Sequence, residues 1–204
     1  MRLRWPSDAA AQEAVWADRG CVLSQCCSLH LVGRLHRRMH VVGAFDFALP
    51  GVPPGSYASH LVTRIGDDRP LAACAARVAV NDGESQSGWG ALVATGLPVG
   101  RATVTGSHAA SMAALAAAEA DLAAIDAVTW RLRPHPRLRV RRTTRPTPAP
   151  PLVTARPALV APLRRALGDG VAALPLALRR PAGLRGFVPL DARAYRGMAV
   201  PDPP

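Results

Sequence analysis

Three polar turns carry the residues best suited to chemistry: residues 81–88, residues 105–108, and the stretch after Ile125. Each follows a short run of β-branched and small apolar residues, at 77–81, 101–105 and 122–126. The first two turns lead into helix-forming stretches, residues 87–95 and the alanine-rich 108–120. A helix start presents unpaired backbone N–H groups and a partial positive charge, which favours anions. Ser85, Gln86, Ser87 and Gly88 add hydroxyl, amide and close-approach backbone donors there. Thr105, Gly106, Ser107 and His108 do the same at the next helix. Asp126 differs, because a carboxylate accepts rather than donates. It fits beside an oxyanion only where the ligand carries a proton, an amine or a hydroxyl. Taken singly, the serines are ordinary helix caps, His108 a solvated ring and Asp126 a partner for an arginine. Together they suit a small tetrahedral oxyanion bearing a donor.

The elements that position these turns read as strand, helix, strand, helix, strand, the pattern of a parallel sheet with crossover helices. Ligands of such sheets bind beyond the carboxyl ends of the strands, where all three turns fall. On the N-terminal side the sequence predicts a helix over 9–18, capped by Ser7 or Asp8, and a second over 28–38. Strands are expected at 21–23, 39–44 and 59–63, with a proline- and glycine-rich loop over 49–55. On the C-terminal side a strand is expected at 138–141 and a stiff connector over 144–151. A helix then runs from Pro157 to Leu167 and stops at Gly168, followed by a short helix over 171–178 and a frayed tail over 201–204.

The 204 residues suffice for one domain or two small lobes, and 49% hydrophobic content excludes a disordered chain. No run of about 18 apolar residues predicts a membrane span. The start, Met1-Arg2-Leu3-Arg4-Trp5-Pro6-Ser7-Asp8, has basic residues without an apolar run behind them. The expectation is therefore no export signal and a cytoplasmic chain, unless the true start lies elsewhere. Net charge is +11, carried by arginine without any lysine, and attracts anions. Four cysteines are too few for a disulfide scaffold and read as free thiols. Cys21, Cys26, Cys27, His30, His36 and His40 match no standard zinc spacing, so neither metal nor cofactor is expected. Catalysis is not expected either. Adjacent Ser107 and His108 do not place a hydroxyl against an imidazole, and no nucleophile-elbow motif is present. Arg131, Arg133, Arg137, Arg139, Arg141, Arg142 and Arg145 form a basic stretch that nucleic acid could contact. With 4% aromatic residues it lacks stacking partners, and a solvated basic face is the simpler reading.

The run Val80-Asn81-Asp82-Gly83-Glu84-Ser85-Gln86-Ser87-Gly88-Trp89-Gly90-Ala91-Leu92 resembles the ligand loop of the phosphonate-, phosphite- and phosphate-binding solute-binding proteins of ABC transporters. So do Val104-Thr105-Gly106-Ser107-His108-Ala109-Ala110-Ser111 and Ala120-Asp121-Leu122-Ala123-Ala124-Ile125-Asp126. Weaker echoes are Gln25-Cys26-Cys27-Ser28-Leu29 and Gly55-Ser56-Tyr57-Ala58-Ser59, with Gly186-Phe187-Val188 fitting a return into the first lobe. The resemblance implies a type 2 periplasmic-binding-protein fold, two Rossmann-like α/β lobes around a central cleft. Residues 1–63 with 151–204 would form the first lobe and 64–150 the second. Ser85, Ser87, Thr105 or Ser107, and His108 would hold the oxyanion, and Asp126 would take its amine, hydroxyl or acid proton. Tyr57 would reach across from the first lobe, with Ser59 and Gln25 completing the set. The implied partners are a small oxyanion and an ABC permease, for a monomer with no nucleic acid and no membrane span. Such proteins are typically periplasmic. The chain departs from the pattern in a shorter segment between Trp16 and Cys21 and in His30 where proline is usual, so the first lobe is expected to be shortened. The alternatives are a basic nucleic-acid-binding protein or a non-transport relative of the family.

Overall fold

Short apolar strands punctuated by proline and glycine assemble into two separate sheets. A computed structural model describes residues 5–204, and the expectation for residues 1–4 lies outside them. In chain order the elements begin with α1 (Ala9–Ala17), β1 (Ser24–Gln25) and α2 (Ser28–His30), which continues as a π-helical turn over Leu31–Leu35. Next come β2 (His40–Phe47), β3 (Ser56–Tyr57), β4 (Ser59–Arg64), α3 (Leu71–Cys74) and β5 (Arg77–Val80). A π-helical turn over Gln86–Gly90 opens α4 (Ala91–Val93), then β6 (Arg101–Val104), α5 (His108–Ala116), β7 (Leu122–Asp126), α6 (Ala127–Leu132) and β8 (Leu138–Thr143). The chain returns through β9 (Thr147–Pro148) and β10 (Leu152–Thr154). It closes with α7 (Val160–Ala173), α8 (Leu176–Arg179), β11 (Leu184–Val188) and a 3-10 turn over Ala192–Tyr195.

The five-stranded sheet has the order β6-β5-β7-β4-β8, and the four-stranded sheet β1-β10-β2-β11. The β3–β9 ribbon stands between them in sequence. β5 runs parallel to both neighbours, with Val78 opposite Ala102 on one side and Leu122 on the other. From β5 the chain therefore steps out to β6 and crosses back to β7, which makes β5 a topological switch point. Strand alternation sends Val78 and Val80 to one face, where they pack with Trp89 and Leu92. Ala79 faces the other way and packs with Met112 and Leu115 of α5. The helices after β5 and β6 thus cover opposite faces, and their first turns meet at one edge. β4 is antiparallel to β7 and places Ser59 opposite Asp126 at that same edge.

Several expectations are corrected. Residues 59–64 belong to the five-stranded sheet, because Leu61, Val62 and Thr63 are buried between β7 and β8. The chain thus leaves the four-stranded sheet before β4, ahead of residue 63. The strand expected at 21–23 forms at Ser24–Gln25, where β10 supplies its partner, Val153 opposite Ser24. Helices expected at 28–38 and 87–95 are each part α and part π-turn. Asp8, not Ser7, caps α1 by accepting the Ala11 N–H at 2.8 Å. α5 ends at Ala116, with Ala118 left-handed at φ 61°. Gly168 does not stop α7, which runs through it to Ala173. The break comes at Leu174, whose extended backbone is dictated by Pro175, and it splits the 171–178 helix. The tail is anchored rather than frayed, since the Trp89 indole N–H donates to the Asp202 carbonyl at 2.6 Å.

Candidate functional site

The site grows from the turn after β5. The Ser85 hydroxyl caps the following helical turn by accepting the Gly88 N–H at 3.2 Å, and it accepts the Asn81 side-chain amide at 2.9 Å. Gly88 is required there, because a Cβ would stand 1.9 Å from Asn81 Oδ1. Ser85 Oγ lies 3.3 Å from Ser87 Oγ, and Ser87 Oγ lies 2.8 Å from His108 Nε2. That last contact joins the first turns of helices on opposite faces of the sheet. The Ser59 hydroxyl donates to the Ser87 carbonyl at 2.8 Å and so fixes the turn from β4.

The turn after β6 is held by Thr105, whose hydroxyl bonds to the Val80 carbonyl at 3.0 Å and Ser111 Oγ at 2.7 Å. Gly106 takes φ +86°, a left-handed conformation that glycine adopts freely. The Ser107 hydroxyl caps α5 through the Ala110 N–H at 3.1 Å. Asp126 caps α6, its Oδ1 accepting the Thr129 N–H at 2.8 Å. A cavity of about 300 Å³ opens beside these turns, lined by Ser107, His108, Ala109, Thr129, Leu132 and Arg133.

Charge and burial set the protonation of the site. Burial lowers the His108 pKa, which the Asp126 charge opposes without reversing, so the ring is neutral near pH 7. Tyr57 is buried, and burial first, then the neighbouring Cys27 and Asp126, hold its hydroxyl protonated well above the usual range. The Thr147 and Ser87 side chains face that hydroxyl and partly offset the shift. The result is a group of neutral hydroxyls and an imidazole, with Asp126 as the acceptor beside them.

Of the candidate residues, Ser59, Ser85, Ser87, His108 and Tyr57 come together, with Asp126 close enough to act on the last two. The buried Gln86 side chain folds back toward Gly90, while its N–H donates to Cys27 Sγ at 3.2 Å. Thr105, Gly106 and Ser107 shape the adjoining turn. Gln25 sits on the edge strand β1, its side chain donating to the Pro150 carbonyl at 3.4 Å, outside the serine–histidine network. Sequence reasoning missed Asn81 and Cys27, although both stand inside the motifs that drew attention. It also missed Thr147, whose proximity to Tyr57 comes from β3–β9 pairing across a long separation. Three of the seven arginines of the basic stretch are engaged with backbone, while Arg133, Arg137, Arg142 and Arg145 are exposed. Arg131 donates to the Ala48 and Ala182 carbonyls, and Arg139 and Arg141 to the Asp67 carbonyl. Among the described residues no group of three or more His, Cys, Asp or Glu is placed to hold a metal.

The mixed α/β chain, with two sheets and helix starts converging on one sheet edge, has the type 2 periplasmic-binding-protein fold of the solved structures it is similar to. The model of a family described as the periplasmic substrate-binding protein of phosphonate ABC transporters matches residues 48–195, and the chain belongs to that family. No curated protein sequence matches it. Among solved structures it is similar to a binding-protein component of an ABC phosphonate transporter from Pseudomonas aeruginosa, at TM-score 0.71 and 16% identity over 94% of this chain and 70% of that one. It is similar to PhnD1 from Prochlorococcus marinus in complex with methylphosphonate, at TM-score 0.69 and 14% identity over 92% and 79%. It is also similar to XAC2383 from Xanthomonas citri bound to ATP, at TM-score 0.66 and 21% identity over 93% and 79%. The family is one of periplasmic binding proteins. Among the described residues no helix is long and apolar enough to cross a membrane.

Proposed function

We propose that the chain binds a small tetrahedral phosphorus oxyanion, a phosphonate, phosphite or phosphate, and presents it to an ABC permease. The observation that carries this reading is the 2.8 Å contact between Ser87 Oγ and His108 Nε2. It brings two helix starts and their hydroxyl donors to one point, beside Tyr57. Neutral donors can replace the hydration of an anion without presenting a full charge of their own, and the α5 N-terminus adds a favourable field. Asp126 then selects for a ligand that keeps a proton, hydroxyl or amine on that side. We further propose that the unit built on residues 59–143 and the unit built on the four-stranded sheet are the two lobes, closing on the ligand between them.

The test is thermal stabilisation by phosphate, phosphite, methylphosphonate, aminoethylphosphonate, sulfate and ATP, on the native chain and on Ser87→Ala and His108→Ala. A ligand at a hundred times its Kd adds about 2.7 kcal/mol of stability. The reading expects stabilisation by at least one phosphorus oxyanion, lost in both variants. It expects none by sulfate, which carries no proton for Asp126 at neutral pH. Stabilisation by ATP alone would redirect the reading to a nucleotide, and no response to any phosphorus compound would end it.

A further inference from the structure

The segment after the 3-10 turn Ala192–Tyr195 starts in one unit and ends on the other. Tyr195 is buried in the core of the four-stranded sheet with Trp16, Cys26 and Val153, and its hydroxyl donates to the Ala149 carbonyl at 2.8 Å. Met198 packs on that same core. Beyond it the chain reaches the turn after β5. There the Asp202 carbonyl receives the indole N–H of the nearly buried Trp89, and Pro203 and Pro204 lie over Gly83. A Cβ on Gly83 would stand 3.0 Å from Pro204, so glycine leaves room for this contact. The Pro201-Asp202-Pro203-Pro204 sequence suits the task. Proline fixes φ and narrows the conformations open to a free segment, so docking it costs little order.

The same turn is gripped from its other side by α2 and the π-turn that follows. Cys27 Sγ accepts the Gln86 N–H and faces the Glu84 carbonyl at 3.5 Å, while His30 and Arg34 each lie 3.2 Å from the Glu84 carboxylate. The turn carrying Ser85 and Ser87 is thus clamped between two segments that both belong to the four-stranded unit.

We propose that residues 199–204 are a strap that holds the 82–90 turn in its binding geometry, with Trp89 as the positioning residue on which the strap acts. The consequence for binding rests on the oxyanion reading above; the strap itself does not. The test uses a chain ending at Val200, Trp89→Phe, and Asp202→Ala. The readouts, neither of which needs a ligand, are peptide-resolved maleimide labelling of Cys27 and amide hydrogen exchange over residues 85–90. Cys21, Cys26 and Cys74 are buried and serve as internal controls. Shortening the chain or removing the indole N–H should speed Cys27 labelling at least about tenfold and raise exchange in the turn, while the control thiols stay slow. Asp202→Ala should match the native chain, because the acceptor is a backbone carbonyl. Unchanged labelling and exchange in Trp89→Phe overturns the proposal, and so does acceleration by Asp202→Ala equal to that of the shortened chain. If the shortened chain fails to fold, Trp89→Phe and Asp202→Ala decide alone. Methylphosphonate affinity, measured on the same variants, should fall with the loosened turn. A turn loosened in the shortened chain and Trp89→Phe, with a native chain that binds no oxyanion, would leave the strap standing and remove the function.

Discussion

The five-stranded and four-stranded sheets differ in how fully they are covered. In the first, β4, β5 and β7 are enclosed, and Leu61, Val78, Leu122 and Ile125 are essentially inaccessible. Helices lie on both faces, as the parallel β6-β5-β7 part of this mixed sheet requires. In the second, α7 buries only Val171 outright, β11 is mostly half-exposed, and Leu176 and Leu178 of α8 are 67% and 68% exposed. The unit that carries the serine–histidine network is closed on both faces of its central strands, whereas the four-stranded unit buries Trp16, Leu31, Val41 and Val153 in a core of its own and lies open at α7, α8 and β11. A closely packed interior fixes backbone positions, which the proposed oxyanion site, a set of neutral donors converging on one point, would need. The other unit contributes fewer groups: Tyr57 from the ribbon, Cys27 from α2, and the 199–204 segment.

The largest effect should come from testing that contrast directly. Leu122→Ala removes a side chain with no exposure from the five-stranded core and should cost about 3–5 kcal/mol in urea unfolding. Leu176→Ala in the four-stranded unit should change stability by less than about 0.5 kcal/mol. Comparable losses from both would mean that the exposed leucines are covered in solution and that the contrast is false.

The two units also differ in how legible they are in sequence. The strand–helix–strand–helix–strand run over 77–126 can be read because each element is signalled locally, and β5, β6 and β7 pair across short crossovers. The serines and His108 fall on the turns of that run, so their convergence follows from the sheet. The four-stranded sheet pairs β1 with β10 and β2 with β11, contacts separated by well over 100 residues. Local patterning has no purchase on such a register, which is why the strand at Ser24–Gln25 was misplaced. Long separations also hide the β3–β9 pairing behind Tyr57 and Thr147, about 90 residues apart, and the contact from Asp202 to Trp89, 113 residues apart. Gly168 misled for another reason. A glycine weakens a helix by about 1 kcal/mol without ending it, and α7, lying on β2 and β11, continues through both Gly168 and Gly170 to Ala173.

Next in size is the charge cluster that closes the five-stranded unit on the side of β4 and β5. Arg64 donates to the Leu115 carbonyl at 2.9 Å, the Ala120 carbonyl at 2.5 Å and Asp121 Oδ1 at 2.6 Å. Asp121 is buried, and burial alone would raise its pKa, but Arg64 and Arg69 outweigh that and lower it. Arg64→Ala should cost about 3 kcal/mol by leaving a buried carboxylate short of its partner and two carbonyls unpaired. Asp67 is held at about 2, chiefly by its hydrogen bonds with Arg69. Both carboxylates are depressed, so their stabilisation is present above pH 4 and drains as pH falls through the folded values. An Arg64→Ala chain whose acid unfolding matches the native chain would show that this cluster does not set the limit. Gly88→Ala should act more locally. Its Cβ must displace Asn81 and break the bond to Ser85, costing about 1–3 kcal/mol and more in oxyanion affinity than in fold. An alanine chain that binds methylphosphonate as the native one does would show that the Asn81–Ser85 geometry is dispensable.

The smallest expected effect separates the site from the rest by pH. His30, His60 and His108 all have lowered pKa values, each with burial as the leading cause. An unfolded histidine titrates near 6.5. Between that value and the lowered folded one, the unfolded chain binds more protons. Stability therefore rises with pH through this window and is lost as pH falls from about 7 towards 5, before most carboxylates titrate. Urea midpoints at pH 7.5, 6.5 and 5.5 should decline in the native chain, and less steeply in His108→Asn, which replaces the imidazole with a smaller polar amide that carries no titrating proton. An oxyanion bound beside His108 favours the imidazolium, so saturating methylphosphonate should flatten the native decline in the same way and leave His108→Asn unaffected. Equal slopes in the native chain and His108→Asn would show that the imidazole beside Ser87 is not the group whose burial the fold pays for, and would move the acid sensitivity to His60 on β4 and to His30 at the Glu84 clamp, where the four-stranded unit holds the turn.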